Sequence, residues 1–108
     1  MIITLIPQRR DTTLVVSRAG DTLLINGEEF DFSVIPDGAS LPGRAVPCAM
    51  IEDLSIIDRI DGVLHLSLYL PLGANPPPEA RFPAPIVNPP DGPIDLPVTH
   101  IEPEADNA

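Results

Sequence analysis

Proline placement constrains this chain more than any other feature. Fifteen of its 108 residues are proline, and eleven of those fall in residues 71–108. Proline has no N–H to give to a ladder or a helix, and its ring fixes φ. So dense a stretch suits neither a central strand nor a long helix, and it favours polyproline II or isolated bridge-like strands. The other four, Pro7, Pro36, Pro42 and Pro47, leave room for regular structure in residues 1–70. Five Arg face ten acids up to Leu70 and one Arg faces six acids beyond it, so each part carries −5 although the second is much shorter. The expected organisation is a folded domain over residues 1–72, followed by an extended, acidic, proline-rich arm over residues 73–108.

The front part reads as all-β, a small antiparallel meander or sandwich-like domain. Phe30, Phe32 and Val34 alternate with Glu29, Asp31 and Ser33, and Leu64, Leu66, Leu68 and Leu70 alternate with His65, Ser67 and Tyr69. Period two marks a strand with one buried face. Shorter strands are expected at Ile2–Ile6, Thr13–Arg18 and Asp21–Ile25. Asn26-Gly27 lies between two apolar runs, the strongest short hairpin signal, and a two-residue loop there sets Leu23 opposite Phe30. Asp61-Gly62 marks a second hairpin. A two-residue loop sets Arg59 opposite Leu64, whereas a three-residue loop sets Ile56 opposite Leu66 and Leu54 opposite Leu68. The apolar match favours the three-residue loop. Ala19-Gly20 marks a third turn of open register, because Val15-Val16 and Leu23-Leu24 offer an apolar residue to either face. Residues 35–50 form a long turn-rich connection. Pro47 could open a helical turn carrying Met50, Leu54 and Ile57, but a strand through Leu54–Ile56 is preferred because it has a hairpin partner. Both strong hairpins precede Gly73, so a fragment ending there is expected to fold.

Charge and composition exclude several functions. A net charge of −10 repels phosphate, so no nucleic-acid partner is expected. The chain has no Lys, which removes Schiff-base and P-loop lysines, and its single Cys cannot form an internal disulfide. The opening run Met1–Ile6 lacks a basic leader and ends at Pro7, so it does not read as a signal peptide. No apolar run approaches the roughly 18 residues that span a bilayer, and no membrane partner is expected. Cys48 reads as a small, partly buried loop residue, because no sequence signal assigns His65 or His100 to it as a base. His65 falls on the polar face of a strand. Glu28, Glu29 and Asp31, and Asp53, Asp58 and Asp61, flank hairpins at spacings that fit neither a calcium loop nor a catalytic pair. No catalytic residue, metal or cofactor is expected, and the protein is read as not an enzyme.

The arm is more than a polar linker. Phe82, Ile86, Val87, Ile94, Leu96 and Val98 are interleaved with its prolines. Those side chains either lie back on the chain's own sheet or anchor the arm in pockets of another subunit, where a preformed extended backbone lowers the ordering cost. Partner binding is therefore assigned to Phe82, Ile86, Val87, Ile94 and Leu96. Charge reversal at Glu102 and Glu104 should matter far less.

The stretch from Arg59 to Leu68, then Pro71 to Ile86 with its Pro76-Pro77-Pro78 and Phe82-Pro83-Ala84-Pro85, and finally Asp91-Gly92-Pro93-Ile94-Asp95-Leu96-Pro97, resembles small acidic proteins encoded in tail-gene modules of proteobacterial phages and prophages. Exclusive use of Arg over Lys agrees with a GC-rich genome. The resemblance implies a non-enzymatic, tail-associated structural or accessory protein, in the virion tail or in the host cytoplasm during assembly. Its partners would be other phage tail or fibre proteins, or further copies of itself, contacted through the arm and a sheet edge. The competing readings are a tail or tail-fibre assembly chaperone that leaves before maturation, and a phage anti-defence inhibitor.

Overall fold

The computed structural model describes residues 1–97, and it folds them as strands with two short helical turns. The strands are β1 (Ile2–Arg9), β2 (Val16–Ala19), β3 (Thr22–Ile25), β4 (Glu28–Asp31), β5 (Ser40–Pro42), β6 (Ile56–Ile60), β7 (Val63–Leu72), β8 (Ile86–Val87) and β9 (Gly92–Pro93). A 3-10 turn at Gly43–Ala45 and the one-turn helix α1 (Pro78–Arg81) complete the list. The strands form a five-stranded sheet in the order β5-β6-β7-β1-β8 and a four-stranded sheet in the order β4-β3-β2-β9. One apolar cluster joins them, with Ile3, Leu5, Ile57 and the four leucines of β7 from the first sheet and Val16, Leu23 and Ile25 from the second.

All-β architecture follows from the alternation. Leu64, Leu66, Leu68 and Leu70 are almost fully buried, and the residues between them lie on the opposite face. The Asn26-Gly27 hairpin has the expected register, Ile25 opposite Glu28 and Leu23 opposite Phe30, with both turn residues at positive φ. The Asn26 side chain also clamps the preceding loop: its Oδ1 accepts the Val15 N–H at 2.8 Å and its Nδ2 donates to the Thr13 carbonyl at 2.9 Å. That clamp delays β2 to Val16 rather than Thr13. The third turn is Gly20-Asp21, with Ala19 opposite Thr22 and only the first turn residue at positive φ, the II′ pattern. One face of this hairpin stays open, since Val15 and Leu24 are exposed.

The Asp61-Gly62 hairpin corrects the preferred register. Its loop has two residues, with Ile60 opposite Val63 and Arg59 opposite Leu64. Asp61 and Gly62 both take positive φ, the type I′ geometry whose twist matches the flanking strands. Two features outside the hairpin make this register tolerable. Arg59 reaches the core side with its guanidinium satisfied: Nε donates to the Ile35 carbonyl at 2.7 Å, Nη2 donates to the Phe32 carbonyl at 3.1 Å, and Asp21 lies 3.3 Å away as its ion-pair partner. Opposite Leu68 stands Ile51, through an isolated bridge, rather than Leu54. Residues 52–55 turn out of the strand line, with the Ser55 N–H and hydroxyl both donating to the Glu52 carbonyl, and Leu54 is left in solvent. The helical turn considered at Pro47 does not form, and β6 begins only at Ile56.

Three further differences are tertiary. The residues 35–50 connection contributes β5, which pairs with β6 at the edge of the larger sheet. The Phe30-Phe32-Val34 alternation stops at β4: the Asp31 carboxylate accepts the Ser33 N–H at 2.9 Å, the Ile35 N–H turns back to the Phe32 carbonyl, and Val34 is exposed. Finally, β1 lies parallel to β7, from Ile2 opposite His65 to Arg9 opposite Leu72, in an otherwise antiparallel architecture.

The proline-rich segment is extended and is built into both sheets. Ile86 and Val87 pair antiparallel with Ile3 and Ile2, and Gly92 and Pro93 pair with Arg18 and Ser17. The crossover between them is tied down by Arg18, whose Nη1 donates to the Pro89 carbonyl at 2.6 Å, and by Asp91, which accepts the Gly20 N–H at 3.0 Å. Proline confines each contribution to two residues, because a longer ladder needs N–H donors that this segment lacks. The described part therefore shares the core of residues 1–72, and a fragment ending at Gly73 would lack Ala80 and Ile94 from that core.

Candidate functional site

The five arm positions assigned to partner binding divide into two groups. Ile94 is only 8% exposed and belongs to the core, while Ile86 and Leu96 are partly buried against it. Their apolar surface is already used within this chain. Phe82 and Val87 remain 86% and 67% exposed. Phe82 caps α1, whose Ala80 is fully buried, so the helical turn is anchored on its inner side and presents the aromatic ring outward. Val98, His100, Glu102 and Glu104 lie outside the described residues.

Val87 belongs to a larger surface. Cross-strand neighbours share a sheet face, so the pairings place Ser40, Asp58, His65, Ile2 and Val87 in one row across all five strands. Adjacent positions on the same face carry Ile60 and Val63, Ile56 and Pro42, and Thr4 and Ser67. Ile56 and Ile60 are 55% and 52% exposed. Two carboxylates border these rows, Asp58 and, opposite Ser67 beside the Ile51–Leu68 bridge, Glu52; one oxygen of Asp58 is buried without a hydrogen-bond partner. The outer face of the larger sheet is thus poor in acids for a chain of net charge −10.

Ile56 and Ile60 were missed as candidate contacts. The signal was present in Ile56-Ile57: two adjacent apolar residues in a strand cannot both face the core. Ile57 is fully buried, so Ile56 faces out. The misread hairpin register concealed which one it would be.

A concavity of about 300 Å³ opens beside the Asn26-Gly27 hairpin and the residues 47–50 segment. Ile25, Phe30, Cys48 and Met50 line it, with Arg10, Asn26 and Glu28 among its polar groups. Arg10 stacks over the Tyr69 ring at 4.2 Å, donates to the Ala49 carbonyl at 3.3 Å and bonds the Gln8 side chain. Cys48 is a free, half-buried thiol packed against the core. His65 sits on the outer sheet face, so the fold does not bring it to Cys48. Glu28, Glu29 and Asp31 occupy the exposed edge strand β4. Hydrogen bonding from Ser33, first from its side chain and then from its backbone, holds the Asp31 carboxyl below the usual carboxylate range. Among the described residues no group of three His, Cys, Asp or Glu side chains is gathered as a metal ion would require.

No protein-family model, curated protein or solved structure matches this chain.

Proposed function

We propose that this protein is a non-catalytic structural or accessory component of a phage tail that works by binding other proteins. The observation that carries the binding reading is the outer face of the five-stranded sheet. It leaves Ile56, Ile60 and Val87 in solvent with only Asp58 and Glu52 as carboxylates near them, in a chain otherwise crowded with acids. Exposed apolar residues scattered singly need no explanation, but a run of them on one charge-poor sheet face fits a protein contact. Phe82 adds an exposed aromatic of the kind that anchors interfaces. The tail assignment rests on the resemblance of residues 59–97 to small acidic tail-module proteins, and the face supplies the contact such a component needs.

Mass spectrometry of purified particles from a host carrying the gene is the direct test. A tail component is recovered in fixed stoichiometry with tail proteins. An assembly chaperone instead copurifies with unassembled tail protein and is absent from the particle. Phe82→Ala combined with Val87→Ala is expected to reduce incorporation without lowering the melting temperature. Normal incorporation of that double variant would remove these two residues from the interface.

A further inference from the structure

We infer that the outer face of the five-stranded sheet is the contact between two copies of this chain. The inference deepens the protein-binding reading of that face by naming its occupant.

Charge supplies the first argument. Two molecules of net charge −10 repel each other, and a contact that brought their carboxylates together would add to that repulsion at close range. The smaller sheet offers no neutral route, because its outer face carries Glu29 and Asp31 and its edge carries Glu28. The larger sheet comes closer to one, since its central row carries only Asp58, opposite His65, and its other acid, Glu52, stands to one side opposite Ser67. A heterologous partner that recognised this protein by charge would use the acidic surface rather than the neutral one.

Self-complementarity supplies the second. Asp58 and His65 stand directly opposite each other on β6 and β7. A two-fold axis along the strands between β6 and β7 lays β6 of each copy over β7 of the other. That arrangement sets the acid of one copy over the imidazole of the second, and the reverse, as an isologous contact requires. It also brings Ile56 and Ile60 over the central strand of the opposite copy.

The third argument is area. The five strands hold 28 residues, each covering about 3.4 by 4.8 Å, so the face presents roughly 450 Å² per copy. About 900 Å² in total falls among weak, transient contacts, so a reversible dimer with Kd on the order of tens of micromolar is expected.

Sedimentation velocity of the full chain across about 1–100 µM tests this directly. The expected result is a concentration-dependent shift from monomer to dimer that strengthens between about 0.05 and 0.5 M salt, because screening weakens like-charge repulsion. Ile60→Glu, and separately Ile56→Glu, should raise Kd at least tenfold with circular dichroism unchanged. Leu24→Glu, on the open face of the smaller sheet, should leave Kd as it was. A chain that stays monomeric at 100 µM overturns the inference, as does a dimer lost on Leu24→Glu but kept on Ile60→Glu. If the full chain is monomeric while a variant ending at Pro97 dimerises, the terminal segment is the occupant and the inference fails. If the chain is monomeric and Ile60→Glu blocks incorporation into particles, a different tail protein occupies the face. Self-association then fails while the protein-binding reading stands.

Discussion

The two sheets differ in how they are assembled and in what they show to solvent. The four-stranded sheet is mostly a local meander: β2, β3 and β4 follow one another through two-residue turns, and only β9 comes from afar. The five-stranded sheet is held by a parallel pair, β1 with β7, whose partners lie some sixty residues apart in sequence. Local pairing is cheap in loop entropy, whereas a distant pair must be repaid by burial. The larger sheet accordingly contributes most of the fully buried side chains. Its outer face is poor in acids, while the smaller sheet carries the acidic edge β4. One sheet therefore supplies the deep core and an acid-poor surface, and the other a charged surface.

The largest expected effect breaks the larger sheet at its centre. Leu66→Asp buries an unpaired charge beside Ile3 and should cost more than about 4 kcal/mol, enough to unfold a small domain. Ser67→Asp, on the outer face, should melt within a few degrees of the parent. Equal losses in thermal melts would mean that both faces are buried.

Truncation after Gly73 comes next. It removes Ala80 and Ile94 from the core and strips β8 and β9 from both sheets. Ile94 is worth about 1.5–3 kcal/mol and the partly buried Ile86 and Leu96 add a share each, so the fragment should be unfolded or close to it. A cooperative melt near that of the full chain would restore the arm as a dispensable appendage.

Gly43→Ala tests the edge formed by β5. A Cβ there would overlap the Glu52 carbonyl oxygen, which already accepts two hydrogen bonds from Ser55. Backbone on both sides leaves little room to yield, and a loss of about 2–3 kcal/mol is expected in urea melts. Arg59→Ala tests the tie between the sheets. It leaves the Ile35 carbonyl without its donor and the Phe32 carbonyl with only the Ile35 N–H, and should cost about 2 kcal/mol, with at most about 1 of that from the partly exposed Asp21 pair.

The smallest effect concerns the acidic edge. The folded-state pKa of Asp31 is depressed, so its contribution to stability is present above the unfolded carboxyl value and is lost as pH falls through the folded one. Ser33→Ala should raise the Asp31 pKa in an NMR titration, while the backbone N–H bond from residue 33 retains part of the depression. The stability difference from the parent should vanish once Asp31 is protonated in both proteins. A difference that persists in acid would trace to Ser33 by some other route.

Legibility in the sequence tracked this division between local and distant. The Asn26-Gly27 hairpin was readable to the residue, because a type I′ turn needs positive φ at two adjacent positions and Asn-Gly supplies both. The leucine face of β7 was readable because alternation is a property of one strand alone. At Asp61-Gly62 the same turn chemistry was overruled by an apolar match to Leu54, when the residue that fills the place opposite Leu68 is Ile51, reached by a detour of the chain. Of the anchors assigned to the arm, sequence could say that they were apolar and spaced, but not which way they faced.

All-β architecture, the hairpin turns and the brevity of the proline-bound strands were determined by the sequence itself, since each depends on φ, on a missing N–H or on period-two burial within a few residues. Three outcomes required the folded chain: the parallel pairing of β1 with β7, the inward turn of Ile94 against the exposure of Val87, and the gathering of neutral residues on one sheet face. Each depends on which distant strand lies alongside. That choice is settled by the total apolar surface buried between two sheets, a quantity that no single segment carries.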